Sequence, residues 1–274
     1  MSDRSEKRFS TPLLGVACCV IAIWLILPLT VIVPISFSAE DSFAFPPRSW
    51  TLDRYASLAT PQWTQALFNS LAIAILVSLV CAVLGTLAAF GIIRSRSRLM
   101  ELLRLLILAP QVVPIIIVGL GIYLVFLGWH ITGTITGFVL AHATLALPFV
   151  VIPVAASLQT YDRSLERASA SLGAGPLATF FQVTFPIIRP AILSGTILAF
   201  LGSFDELVLA LFLQSPSLVT LPVLLYRRMT DTIDPTIAAV ATIQLGFVIA
   251  CVIAALAVER RRAAAADGKG VQEP

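Results

Sequence analysis

Lysine is nearly absent from this chain. Lys7 and Lys269 are the only two, and neither closes a glycine-rich run followed by Ser or Thr. A phosphate-cradling P-loop needs a lysine in that place, so the chain does not hydrolyse ATP by that route. Charge of either sign is scarce as well. Charged residues make up 12% of the sequence, whereas soluble globular chains carry about 25%. Cys18, Cys19, Cys81 and Cys251 all fall inside apolar runs and read as small hydrophobes, not as a disulfide framework. No metal cluster or activated-nucleophile setting supports an intramembrane enzyme.

What is present is long apolar sequence. Hydrophobic residues are 58% of the chain and the mean hydropathy is +0.95. A helix needs about 20 apolar residues to cross the hydrocarbon core. Six stretches approach or exceed that length: residues 13–35, 67–93, 102–127, 135–158, 190–212 and 235–258. The first is too long for the apolar region of a signal peptide and is expected to stay as a span. The chain is therefore expected to be an all-α integral membrane protein with six transmembrane helices. Residues 1–12 are a short polar N-terminus, and residues 259–274 an expected disordered tail. Small residues four apart suit close helix packing in lipid: Gly85 with Ala89, Gly133 with Gly137 and Ala141, Ala191 with Gly195 and Ala199, and Gly246 with Ala250. Residues 36–65 read as a loop with a short surface helix near Thr51–Leu58. Trp50, Tyr55 and Trp63 there suit either the headgroup level or a small packed cap.

Basic residues choose the orientation. Of the 18 Lys and Arg, 14 fall in the N-terminus, the 94–104 and 163–189 regions and the tail. By the positive-inside rule this places both termini and the 161–190 segment in the cytoplasm. That segment, YDRSLERASASLGAGPLATFFQVTFPIIRP, is polar and partly basic between apolar runs. Asp162 and Ser164 can start a helix, and Gly173 or Gly175 can end it, helped by Pro176. A second short helix is expected over Leu177–Val183. The segment can be a lever on the spans at its two ends, or an ordinary amphipathic loop.

A translocation path or gate is the expected role of five further residues. Pro110 and Pro114 would bend the third span, because proline removes a backbone donor. His142 lies within the fourth span, either as a ligand or as an interhelical hydrogen-bonding group. Asp205 and Glu206 interrupt the fifth span, where ionisable side chains usually face protein or a water path. They can attract a cationic solute, or pair with Arg227 or Arg228 in the 214–234 loop and set a gate.

The 161–190 segment resembles the EAA loop of permease subunits of binding-protein-dependent ABC importers. That family's pattern is Glu-Ala-Ala, three residues, Gly, nine residues, an aliphatic residue, one residue, Leu-Pro. Here Gly173 is followed after nine residues by Val183, then Thr184, Phe185 and Pro186. Arg167, Ala168 and Ser169 stand at the Glu-Ala-Ala positions, with Glu166 one residue early. Phe185 stands where Leu is usual. FLGSFDELVLALFL at 200–213, TLPVLLYRRM at 220–229, DPTIAAVATI at 234–243 and AHATLALPFV at 141–150 are similar to the polyamine branch of the family.

The resemblance implies a type I importer permease fold with both termini inside, in a bacterial inner membrane. It implies a coupling helix that docks on a cytoplasmic ATPase through Glu166, Arg167, Ala168, Ser169, Leu172, Gly173, Ala174, Val183 and Pro186. It also implies a second permease subunit, two ATPase subunits that use ATP and Mg, and a periplasmic solute-binding protein. This chain would bind no cofactor itself. The implied solute is a polyamine or related amino compound. Permeases for opines, iron(III), thiamine and aminophosphonates share much of the pattern, and a self-contained secondary transporter is the reading outside the family.

Overall fold

The structure is a computed structural model, and it describes residues 6–95, 97–231 and 234–267. Its helices in chain order are α1 (Glu6–Ile35), α2 (Asp53–Ser57), α3 (Pro61–Arg94), α4 (Arg98–Leu108), α5 (Ile115–Gly128) and α6 (Ile135–Thr160). Then follow α7 (Ser164–Ser171), α8 (Pro176–Thr179), α9 (Phe185–Phe204), α10 (Val208–Leu213), α11 (Leu221–Asp231) and α12 (Thr236–Asp267). Among the described residues there is no strand, only isolated bridges at Ser38–Trp50 and Ser215–Leu218.

Among the described residues, four helices are long and apolar enough to cross a membrane: Leu14–Ile35, Pro61–Arg94, Ile135–Thr160 and Pro176–Phe204. The expected third span is different. Arg98–Gln111 and Ile115–Gly128 form a pair bent by 111°. Pro110 sits in the 3₁₀ turn Ala109–Gln111, and Pro114 caps the start of α5 with extended backbone. Neither proline offers an amide to the preceding turn, so the helix breaks where a gentler kink was expected. The described apolar part of the expected sixth span is Thr236–Ala250.

Other boundaries also move. The fifth span begins at Pro176, because the expected second short helix runs through a π-helical turn, Phe180–Thr184, into α9. It ends at Phe204, and α10 is a separate piece. The 214–234 stretch, read as a loop, contains α11. α1 starts at Glu6, inside the expected polar N-terminus, and α12 continues to Asp267, well into the expected tail. Residues 268–274 lie outside the described residues.

The chain divides into two compact units. One comprises Met1–Thr60 with Arg227–Cys251. Within it, Arg54 organises the 36–60 segment. Its guanidinium donates to the Ser38 carbonyl at 2.9 Å and pairs with Asp41 at 3.2 Å and, more distantly, Asp234 at 3.9 Å. Tyr55 shares a 2.7 Å hydrogen bond with Ser36 Oγ and packs its ring on Phe37. Tyr55 therefore serves the packed cap, while Trp50 is exposed.

The other unit comprises Pro61–Tyr226 with Val252–Pro274. α3, α6 and α9 pack side by side around Val77, Cys81, Val150, Val154, Ile188 and Ala199. Val150 is where the three meet. A methyl added at Gly85 would lie 2.8 Å from Val150 Cβ, and one at Gly195 would lie 2.8 Å from Val150 Cα and 2.7 Å from the Phe149 carbonyl. Close backbone approach substitutes for the hydrophobic drive that lipid does not provide. The other expected stripes do not all work this way. Gly137 closes on the Ile131 carbonyl just before its own helix, and Gly246 has nothing within 4 Å. Asn69 and Ser70 of α3 anchor the approach to α11, by Nδ2 donating to the Val219 carbonyl at 2.9 Å and Oγ accepting from the Leu221 amide at 2.8 Å. Trp63 is buried in this unit and does not sit at an exposed headgroup position.

Candidate functional site

The 161–190 segment begins with an Asp162 carboxylate that accepts from the Ser164 hydroxyl and, at 2.8 Å, from the Ser164 amide. The hydroxyl bond is the main reason its pKa lies below the ordinary carboxylate value, since bonds to the charged form favour it. α7 then runs eight residues and ends in a Schellman motif. The Ala174 amide donates to the Ser169 carbonyl at 3.1 Å and the Gly173 amide to the Ala170 carbonyl at 2.9 Å. Gly173 has φ of +85°, the left-handed conformation that glycine adopts without a Cβ penalty. The glycine is thus required by the turn and not by crowding, because a side chain there would meet open space. Pro176 opens α8 in the first turn, where its missing amide costs nothing.

Glu166 ties the segment to the bundle. Its Oε1 accepts from the Arg94 guanidinium at the end of α3 and from Thr184 Oγ1 at 2.9 Å. Thr184 is 1% exposed in the π-helical turn, and its hydroxyl also meets Tyr161 OH at 3.3 Å. Arg94 lies over the Phe90 ring, which meets Phe180 edge to face. Arg163 reaches the Ile93 carbonyl at 3.4 Å. α7, the end of α3 and the start of α9 are therefore clasped together by one carboxylate. Sequence reasoning missed Arg94, Thr179 and Thr184. Arg94 carried only the signal of a basic turn, and the threonines carried none.

The remaining expected coupling residues fall in two groups. Ser169 is turned inward, its Oγ 3.1 Å from Thr179 Oγ1. Ala174 and Val183 are half-buried. Arg167, Ala168, Leu172, Gly173 and Pro186 are exposed. Leu172 is 89% exposed, and Leu177 and Phe181 beside it in sequence are 75% and 61% exposed.

A second place brings most of the expected pathway residues together. A cavity of about 560 Å³ is lined by Pro110, Gln111, His142, Ser203, Asp205 and Glu206 among mostly apolar neighbours. Pro114 shapes the bend but is not among its lining residues. The cavity lies where two helix breaks meet: the α4–α5 bend and the interruption between α9 and α10. Non-helical backbone at membrane depth is tolerated where it lines a protein cavity. Glu206 Oε1 accepts from the Leu209 amide at 3.0 Å, which satisfies one of the first donors of α10. Asp205 ends α9 and is exposed. His142 is buried; its Nδ1 is 3.0 Å from Ser203 Oγ, and its Nε2 has no hydrogen-bond partner. Ser203 and Gln111 are further polar lining groups that the sequence did not single out. Among the described residues, no three His, Cys, Asp or Glu side chains group to hold a metal ion.

Comparison with known proteins supplies the family. A family model described as "Binding-protein-dependent transport system inner membrane component" matches residues 81–263. The putrescine transport system permease protein PotI of Escherichia coli (strain K12) is 39% identical over 186 residues, covering 65% of this chain. The chain spans 66% of PotI's length, just under two thirds. The molybdenum transport system permease protein ModB of Mycobacterium tuberculosis (strain ATCC 25618 / H37Rv) is 34% identical over 223 residues, covering 76% of this chain and 81% of ModB. The fold is that of a chain in a bacterial alginate ABC transporter, solved in complex with an alginate pentasaccharide-bound periplasmic protein. The TM-score is 0.69 at 19% identity, covering 94% of this chain and 98% of that one.

Proposed function

Because this chain belongs to the binding-protein-dependent transport system inner membrane component family, we propose that it is the permease subunit of an ATP-driven importer whose solute is a polyamine or related cationic amino compound. The observation that carries the importer reading is the extent of the family match, residues 81–263. That stretch contains both the clasped 161–190 segment and the cavity at the two helix breaks. In this reading the segment docks on a cytoplasmic ATPase, and the cavity forms part of the solute path. Two ATPases, a second permease subunit and a periplasmic binding protein complete the assembly. With Lys7 and Lys269 as its only lysines, the chain depends on the ATPases for hydrolysis. Hydrolysis shifts the balance between inward-open and outward-open states, and the Glu166 clasp delivers that shift to α3 and α9.

Two features support a cationic solute. One is the 39% identity to the putrescine permease PotI. The other is the pair Asp205 and Glu206 in the cavity lining, with no Arg or Lys among the lining residues. Similarity to ModB favours a second reading, in which the solute carries molybdenum. Uptake separates the two. Cells lacking their own polyamine and molybdate uptake, and expressing the whole transporter, should take up labelled putrescine saturably and leave molybdate outside. Molybdate uptake without putrescine uptake would reverse the assignment.

A further inference from the structure

We infer that the partner groove receiving the 161–190 segment is apolar with an acidic rim, and that Arg167 rather than Glu166 makes the charge contact with it. This rests on the reading that the segment docks on an ATPase, and it adds the chemistry of that partner. Glu166 is already committed within the chain. Its Oε1 holds both the Arg94 guanidinium and the Thr184 hydroxyl, and its side chain is only 20% exposed. To reach a partner it would have to leave an ion pair and the shorter hydrogen bond of a hydroxyl buried to 1% exposure, whose other contact, Tyr161 OH, is longer at 3.3 Å.

Arg167 is one residue on, about 100° round the helix. It is exposed, and no carboxylate of the described residues lies within ion-pair distance of it. Asp162 feels the Arg167 charge, but its oxygens are engaged by Ser164. The charges that this segment exposes are Arg163, Arg167 and Arg189 against Asp162 alone. The same segment exposes bulky apolar side chains, Leu172, Leu177 and Phe181 most of all. Exposed bulky apolar side chains on a segment whose exposed charges are mostly arginine match an apolar groove rimmed by Asp or Glu, since complementary charge steers encounter and excludes wrong partners.

The test uses the whole transporter, purified through a tag on this permease together with its own ATPase. Retention of the ATPase is measured in rising salt. Wild type and Arg167→Lys should retain it, Arg167→Ala should weaken it, and Arg167→Glu should weaken it by at least about fivefold. Replacing an acidic residue on the groove rim by Lys should restore binding to Arg167→Glu. Glu166→Gln should hold the ATPase within about twofold of wild type, because the amide oxygen still accepts from Arg94 and Thr184. Size-exclusion profiles check that each variant is folded. Equal retention by wild type and Arg167→Glu would overturn the inference, as would loss of the ATPase in Glu166→Gln with Arg167→Glu unaffected. Retention insensitive to Arg167, with transport following the anionic lipid content of the membrane, would assign this face to the lipid surface and overturn it too. No ATPase on wild type would remove the docking reading itself, a different result from an insensitive Arg167.

Discussion

Gly173 shows how one residue's role changes once its backbone is seen. From the sequence, a bulky replacement is expected to harm coupling. The structure gives the reason as φ of +85° and leaves open space for a side chain. Replacement should therefore follow left-handed propensity and not volume. Gly173→Asn should be mild. Gly173→Val should strain or unwind the end of α7, at about 1–2 kcal/mol, and reduce solute moved per ATP hydrolysed. Equal behaviour of the two variants in a coupling assay would contradict this. Glu206 poses a similar separation. Glu206→Gln keeps an oxygen for the Leu209 amide while removing the charge. If the carboxylates serve a cationic solute, Glu206→Gln and Asp205→Asn should each lower putrescine uptake by about tenfold, the factor for 1.4 kcal/mol, with expression unchanged. Retained putrescine uptake would dismiss the charge role.

Packing among α3, α6 and α9 belongs to the scale of elements. The small residues at Gly85 and Gly195 let two helices reach the backbone or Cβ of Val150 on the third. Gly195→Val would push against the Phe149 carbonyl and should destabilise the protein by about 1–3 kcal/mol, read as a lower unfolding temperature in detergent. Gly121→Ala on α5 has nothing within 4 Å and should lie within about 0.5 kcal/mol of wild type. Similar losses at both glycines would mean that small-residue spacing, not close approach, sets stability. The same scale shows what periodicity cannot report. Pro110 and Pro114 announced a bend in the third span, but its size, 111°, depends on which backbone conformation the second proline takes. Asp205 and Glu206 announced a costly interruption, but only the structure shows Glu206 turned back to cap a new short helix.

For the whole molecule, the 14-to-4 division of basic residues predicts that both ends of the chain lie in the cytoplasm. Alkaline phosphatase joined after Pro274 should be inactive, and a cytoplasmically folding fluorescent protein joined there should be bright. The opposite pair of results would invert the orientation and move the 161–190 segment away from ATP. With both ends inside, cysteine placed at Leu172 should label only in opened vesicles or from the cytoplasmic side.

The sequence by itself determined that the chain is helical and lies in a membrane, because too little charge is available to cover so much apolar length. It also located the 161–190 segment, by its polar and partly basic composition between apolar runs and by the family spacing around Gly173 and Pro186. The tertiary structure decided what the charges do. Glu166 and Arg94 are 72 residues apart, and no local pattern links them. Their pairing turned the one acidic side chain of α7 inward and left Arg167 outside. Likewise His142 and Ser203, 61 residues apart, meet only because α6 and α9 cross at glycine. Short-range patterns record what each stretch can form; long-range pairs depend on how the helices cross.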